Sequence, residues 1–239
     1  MSLTDRHALV TGASGAIGGA IAEALAERGA RVLAVGRDGA RLDALARRLR
    51  GRAPVTALVA DLMDEGAVER IAGSALGDFG GVDVLVHAAG AYASGPVETS
   101  PAEAFDRQMR VNARAPYLLT QRLLPSLLAR RGEIVFVNST AVLAPRAGVS
   151  AYAASKAALR ALADSLRAEV NARGVRVLSI FPGRTASAMQ EAVHRAEGAT
   201  YRAEKLLQPA DVAAAIVNAL AQPRTAEVTD LYLRPMQAP

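Results

Sequence analysis

The sequence predicts an α/β fold: one doubly wound domain with a seven-stranded parallel sheet and helices on both faces. Two observations carry this. Short apolar runs alternate with longer segments of helical period along the whole length, and such alternation builds parallel sheets through crossover units. The composition can fill the core that such a sheet needs, with 51% of the 239 residues hydrophobic and 21% charged. Aromatic residues make up only 4%, so that core must rest on aliphatic side chains and closely packed, Ala-rich helices.

Buried strands are expected at 7–10, 31–35, 55–60, 82–87, 133–137, 175–181 and 228–233. Helical period occupies 16–29, 39–50, 64–77, 101–130, 150–173 and 209–221. Pro101 and Pro209 sit where first helical turns should begin, and Ser100 is placed to cap the former. Pro116 and Pro125 are expected to bend the long fourth helix. No linker, repeat or low-complexity stretch divides the chain, so residues 1–239 are expected to form a single domain.

Several function classes drop out on composition. There is no Cys, which excludes disulfides and thiolate metal sites. His7, His87 and His194 are scattered without ligand spacing, so no metal is expected. Segment 1–7 is polar and does not read as a signal peptide, and no apolar run is long enough to span a bilayer. The expectation is a soluble, cytoplasmic protein with no membrane partner. The net charge of +5 comes from arginines interleaved with acids on helices, as in Arg41, Asp43 and Arg47. That is the pattern of a solvated helix face, so no nucleic-acid partner is expected. Of 28 basic residues only Lys156 and Lys205 are Lys. A chain that otherwise uses Arg for positive charge keeps a Lys where a compact ammonium is needed.

In doubly wound folds ligands bind at the carboxyl ends of the strands. After the first strand comes Thr11-Gly12-Ala13-Ser14-Gly15-Ala16-Ile17-Gly18. Glycines there permit a tight turn and close approach of backbone to a pyrophosphate, which the helix N-terminus favours. A Gly-rich turn alone can equally serve packing. After the second strand, where an acid usually meets a ribose 2′-hydroxyl, the chain reads Val35-Gly36-Arg37. Arg37 could form a forked contact with a 2′-phosphate, or simply start a surface loop. Asp61-Leu62 follows the third strand and His87-Ala88-Ala89-Gly90 the fourth. Small residues leave room for a cofactor, although packing would also select them. His87 ends an apolar strand and reads as a buried hydrogen-bonder. Ser139 follows the fifth strand, and Tyr152 and Lys156 share one helix face four residues apart. An ammonium beside a phenol favours phenolate.

Taken together, Thr11-Gly12 to Gly18, Ala88-Ala89-Gly90, Asn112, Ser139, Tyr152-x-x-x-Lys156 and Pro182-Gly183 occur in order, each in its expected element. The chain therefore resembles the short-chain dehydrogenase/reductase family over nearly its whole length, most closely the ketoacyl-reductase-like branch. The resemblance implies a Rossmann-type fold and an NADP(H)-dependent oxidoreductase that interconverts a ketone or aldehyde and an alcohol. It implies Tyr152 as general acid/base, Ser139 holding the carbonyl oxygen, Lys156 binding the nicotinamide ribose, and Asn112 supporting a proton relay. NADP would be held by Gly12, Ser14, Gly15, Ala16, Ile17, Gly18, Arg37, Asp61, Leu62, Ala88, Ala89 and Gly90. Asn112, Tyr152, Lys156, Pro182, Gly183, Thr185 and Ser187 would complete its site. Three departures stand out: the family's middle glycine is Ala16, its first Asn is His87, and the Thr after Pro-Gly is Ser187. The resemblance and two long Ala- and Leu-rich helices also predict a homo-oligomer, as a tetramer. A non-catalytic NADP-binding regulator on the same fold is the alternative. A Ser hydrolase is disfavoured by the missing nucleophile elbow. The substrate itself is not legible; the variable segment 187–208, with Met189, Val193, His194 and Tyr201, is where it should be read.

Overall fold

Seven parallel strands, in the order β3-β2-β1-β4-β5-β6-β7, form the sheet of the computed structural model, which describes residues 3–237. The strands are β1 (His7–Thr11), β2 (Arg31–Gly36), β3 (Val55–Val59), β4 (Val84–His87), β5 (Glu133–Val137), β6 (Arg176–Pro182) and β7 (Asp230–Leu233). The helices between them are α1 (Ala16–Glu27), α2 (Gly39–Arg48), α3 (Ala67–Leu76), α4 (Ala102–Met109), α5 (Ala115–Ala129), α6 (Ser150–Val170), α7 (Ala188–Ala196) and α8 (Pro209–Leu220). Alternating strand residues serve two cores. Ala8, Val10, Val32, Ala34, Val84, Val86 and Val135 face the side covered by α1, α2 and α8. Leu9, Leu33, Leu85, Ile134 and Phe136 face α3, α5 and α6. Both faces are therefore buried, which is why the strands read as continuous apolar runs.

The expected fold class holds, and the boundaries show three differences. The fourth helical segment is interrupted: α4 passes through a π-helical turn at Arg110–Arg114 into α5. Pro116 lies in the first turn of α5 and Pro125 inside it, so the irregularity precedes both prolines. A π turn accommodates one extra residue in the helix, and Asn112 sits within this one. Ser100 does not cap α4. Its hydroxyl donates to the Pro96 carbonyl at 2.7 Å, and Pro101 occupies the cap position with an extended backbone. The third helix starts at Ala67, not at 64, because Gly66 adopts a left-handed φ of 77°.

Of the segment 1–7, the first two residues lie outside the described residues. Among the described residues, no helix is long and apolar enough to cross a membrane, and no cluster of three His, Asp or Glu could hold a metal ion.

Candidate active site

Strand order reverses direction between β1 and β4, so the connections leaving these strands run to opposite sides and open a crevice at their carboxyl ends. A cleft of about 1510 Å³ lies there. Of the residues expected to act or to bind cofactor, all line this cleft except Asn112.

The turn after β1 is built by close backbone approach. Gly12 has φ +71°, and a Cβ on it would lie 2.6 Å from the Ala89 nitrogen. A Cβ on Gly18 would lie 2.2 Å from the Gly12 carbonyl oxygen. Neither position admits a side chain, and the turn hugs the end of β4 as a result. Thr11 locks the same junction: its hydroxyl donates to the Val86 carbonyl at 3.3 Å and accepts from the Ala88 and Ala89 N–H groups at 3.2 and 3.3 Å. Ala16 is exposed and starts α1 regularly. The backbone N–H groups of the first turn of α1 thus face the cleft, an arrangement suited to a pyrophosphate.

His87 is buried and stacks on Phe136 with ring centroids 4.9 Å apart, and its Nε2 lies 2.9 Å from the Thr120 hydroxyl. Burial lowers its pKa to about 3, so it is neutral and structural, as its place at the end of an apolar strand suggests.

At the end of β2, a Cβ on Gly36 would meet the Ser14 hydroxyl at 2.4 Å; glycine here makes room for Ser14. Arg37 projects with 60% of its side chain exposed, 3.8 Å from the Asp61 carboxylate. Two neighbours were not anticipated from the sequence. Asp38 caps α2 by accepting the Arg41 N–H at 3.1 Å, so the acid nearest the strand end is engaged with the helix. Arg41 lines the cleft as well. The signal for Asp38 was a cap residue directly before a helical run.

The catalytic candidates converge from β5, α6 and the π turn. Ser139 follows β5 in extended conformation, and its hydroxyl accepts the Ala141 N–H at 3.2 Å. Tyr152, in the first turn of α6, is half-buried. Burial raises its hydroxyl pKa, a hydrogen bond with Ser139 opposes that, and Tyr92 adds to the rise. The Tyr92 ring meets the Tyr152 ring edge-on at 5.0 Å. Tyr92 lines the cleft and was missed in the sequence because a lone aromatic after Gly90 carries no motif. Lys156 is 4% exposed, its ammonium donates to the Val137 carbonyl at 2.9 Å, and it stands 6.0 Å from the Tyr152 ring centroid. The net shift at Tyr152 is thus upward, against the expected depression by Lys156, whose ammonium is directed to the Val137 carbonyl.

Asn112 is fully buried and does not border the cleft. Its side chain accepts the Ala91 N–H at 2.7 Å and donates to the Ala91 carbonyl and the Ser155 hydroxyl at 2.8 and 2.9 Å. It pins the loop after β4 against α6. Beyond β6, the Ser187 hydroxyl caps α7 by accepting the Gln190 N–H at 3.1 Å, and Thr185 donates to the Gly183 carbonyl at 3.0 Å. The variable segment 187–208 is ordered as α7 and a short 3₁₀ turn at Ala203–Lys205, and Met189 and Val193 face the cleft.

Burial lowers the Lys156 pKa from 10.5 to about 8, and this has a consequence for stability. Between those values the unfolded chain holds a proton that the folded chain has released. The contribution of Lys156 to stability therefore rises with pH from about 8 to 10.5 and is constant below. The gain is on the order of 3 kcal/mol. Lys156→Met should remove that rise. Denaturant unfolding of the cofactor-free protein across this window is the check; parallel curves for both proteins would contradict it.

The family model described as short chain dehydrogenase matches residues 6–198. An uncharacterized oxidoreductase of Staphylococcus saprophyticus is 33% identical over 240 residues, covering 99% of this chain and 100% of that protein. Another from Staphylococcus epidermidis is 32% identical over 233 residues, covering 97% and 98%. Among solved structures, the alcohol dehydrogenase of the archaeon Thermococcus sibiricus, complexed with 5-hydroxy-NADP, superimposes with TM-score 0.89 at 28% identity over 98% of both chains. A metagenomic short-chain oxidoreductase in complex with NADP gives TM-score 0.85 at 31% identity over 100% of both chains.

Proposed function

The chain belongs to the short chain dehydrogenase family and is an oxidoreductase acting on CH–OH or C=O groups; from that premise we propose that it interconverts a carbonyl and an alcohol using NADP(H), with Tyr152 as general acid/base. The observation that carries this is the meeting of Ser139, Tyr152 and Lys156 in the cleft opened by Gly12 and Gly18. The residues present fit the cofactor. Gly12 and Gly18 leave no room for a Cβ and hold the turn tight, Ser14 and Arg37 stand at the end of β2, and solved relatives hold NADP or an analogue of it.

When bound, NADP(H) supplies or accepts the hydride. The chain manages the proton and the geometry. Ser139 donates a hydrogen bond to the carbonyl oxygen and orients it toward Tyr152. Tyr152, a neutral phenol whose pKa burial raises further, donates its proton to that oxygen in reduction and receives one in oxidation. Lys156 holds the ribose and places a positive charge beside the phenol. Asn112 acts through position, by fixing Ala91 and α6. Incubation with NADPH and a panel of activated ketones and aldehydes tests the reading; no cofactor oxidation with any of them would count against it.

Arg37 reads the cofactor's 2′-phosphate. Its guanidinium is largely exposed and has only a loose 3.8 Å pairing to give up. A hydrogen bond to a charged group contributes about 1.5–3 kcal/mol, so Arg37→Ala should weaken NADPH by about ten- to hundredfold and leave NADH nearly unchanged. Arg41 and Ser14 stand near enough to preserve part of the preference. Paired cofactor titrations decide it: equal losses for both cofactors would assign Arg37 to the loop and not to the phosphate.

The protein assembles as a homo-oligomer, in our reading a tetramer. Phe105 and Tyr117 expose 45% and 51% of their surface on α4 and α5, beside a groove lined by Tyr117, Ala158 and Leu162. Light scattering at micromolar concentration should show a multimer, and a monomer there would refute this.

A further inference from the structure

The charged side chains on the Tyr152 side of the cleft are all cations. Arg107 enters from α4, Arg146 from the loop between β5 and α6, and Arg184 from the end of β6. Only two acids line the cleft among the described residues, Asp38 and Asp61, and both stand at its β2–β3 end.

One carboxylate lies behind the arginines. Glu197, just past α7, accepts from Arg184 at 2.7 Å on one oxygen and from Arg146 at 3.3 Å on the other. Against the upward push of burial, Arg184 and Arg146 hold the Glu197 carboxyl below its usual range, so it remains an anion. One negative charge is thus shared by two guanidiniums. Pinning α7 needs only one of them, and Arg184 has the shorter contact and the smaller exposure, 21% against 59% for Arg146. Arg146 keeps most of its donors free, and the side chain of Arg107, which also borders the groove beside Tyr117, is exposed with no ion pair or hydrogen bond among the described residues. The wall between them is apolar, formed by Ala144, Val149, Met189 and Val193. A mouth of this kind offers forked donors at its rim and an apolar stretch before the hydroxyl of Tyr152.

We propose that the substrate is a carbonyl compound carrying an anionic group, a carboxylate or a phosphate ester, which Arg146 and Arg107 grip at the cleft mouth. This rests on the reading of Tyr152 as the group that acts on a carbonyl. Arg146 and Arg107 are specificity-determining residues. They select the charged member of a matched pair and leave cofactor binding alone, because Arg37 and the Gly12–Gly18 turn hold the other end of the cleft.

Two matched pairs test it: acetoacetate with methyl acetoacetate, and dihydroxyacetone phosphate with dihydroxyacetone. Affinity is measured by calorimetry on NADP⁺-loaded protein, where no reduction can occur, and kcat/KM is measured with NADPH. In at least one pair the charged member should be favoured by about tenfold or more in affinity. Which pair shows this distinguishes carboxylate from phosphate. Arg146→Gln and Arg107→Gln, both at exposed positions, should each erode the preference while the NADPH affinity is retained. Equal binding within both pairs, or a preference that survives the double substitution, overturns the proposal. Charge-selective binding without turnover of any member would leave the anion site standing and count instead against the carbonyl chemistry.

Discussion

Tyr152→Phe should lower turnover by about two to four orders of magnitude while NADPH affinity changes little. The substitution removes one hydroxyl and nothing else. The ring keeps its edge-on contact with Tyr92 at 5.0 Å, and the first turn of α6 keeps its backbone hydrogen bonds, so the cleft retains its shape. What is lost is the hydroxyl we propose as the proton donor, beside Ser139. Ser139 cannot replace it, because its hydroxyl is a far weaker acid than a phenol. Burial raises the Tyr152 pKa, which keeps the phenol protonated for reduction and makes alcohol oxidation the direction that gains from higher pH. Steady-state kinetics and a cofactor titration on the same preparation separate the two roles. A Phe variant with near wild-type turnover would remove Tyr152 from the chemistry.

The motif residues were legible because each obeys a local constraint that the sequence displays directly. Gly12 and Gly18 are glycines because a Cβ would strike backbone, and that requirement leaves a visible spacing. Lys156 stood out against a background of Arg. His87 announced itself as structural by ending an apolar strand, and its contacts with Thr120 and Phe136 agree. The residues that were missed have roles set by partners distant in sequence. Arg146 and Glu197 are fifty-one positions apart, and nothing near either marks the pairing. Asn112 was expected to support a proton relay, and nothing in the sequence signals the π turn that places it fully buried with its amide engaged by Ala91 and Ser155. Hydrophobic period does not distinguish a π turn from the α-helix around it, which is also why segment 101–130 read as one helix bent at its prolines.

The second large effect is expected far from the cleft, at the amino ends of β5 and β6. Glu133 is 2% exposed and paired with Arg176, whose side chain is 11% exposed. Arg6 and Arg224 stand 3.8 and 3.6 Å from the same carboxylate. Arg176 also donates to the carbonyls of Leu220, Gln222 and Ala226, each at 3.0 Å, so it ties the end of α8 to the sheet. These carbonyls have no helical partner, and a cation there also suits the helix dipole. Arg176→Met keeps an unbranched, flexible side chain but leaves a buried carboxylate with two partners beyond hydrogen-bond reach and three carbonyls without this donor. Breaking a buried pair by removing one partner costs about 3–5 kcal/mol. At about 2–4 °C per kcal/mol for a chain of this size, the melting temperature should fall by roughly 6–20 °C. Glu133→Leu combined with Arg176→Met should recover part of that loss, since no buried carboxylate is then stranded and Arg6 and Arg224, which lose their acid, are 26% and 41% exposed. Thermal unfolding of wild type, both single variants and the double variant at one protein concentration closes the cycle. A single Arg176→Met variant melting within a degree of wild type, or a double variant melting below both singles, would show that the cluster does not hold the sheet to α8.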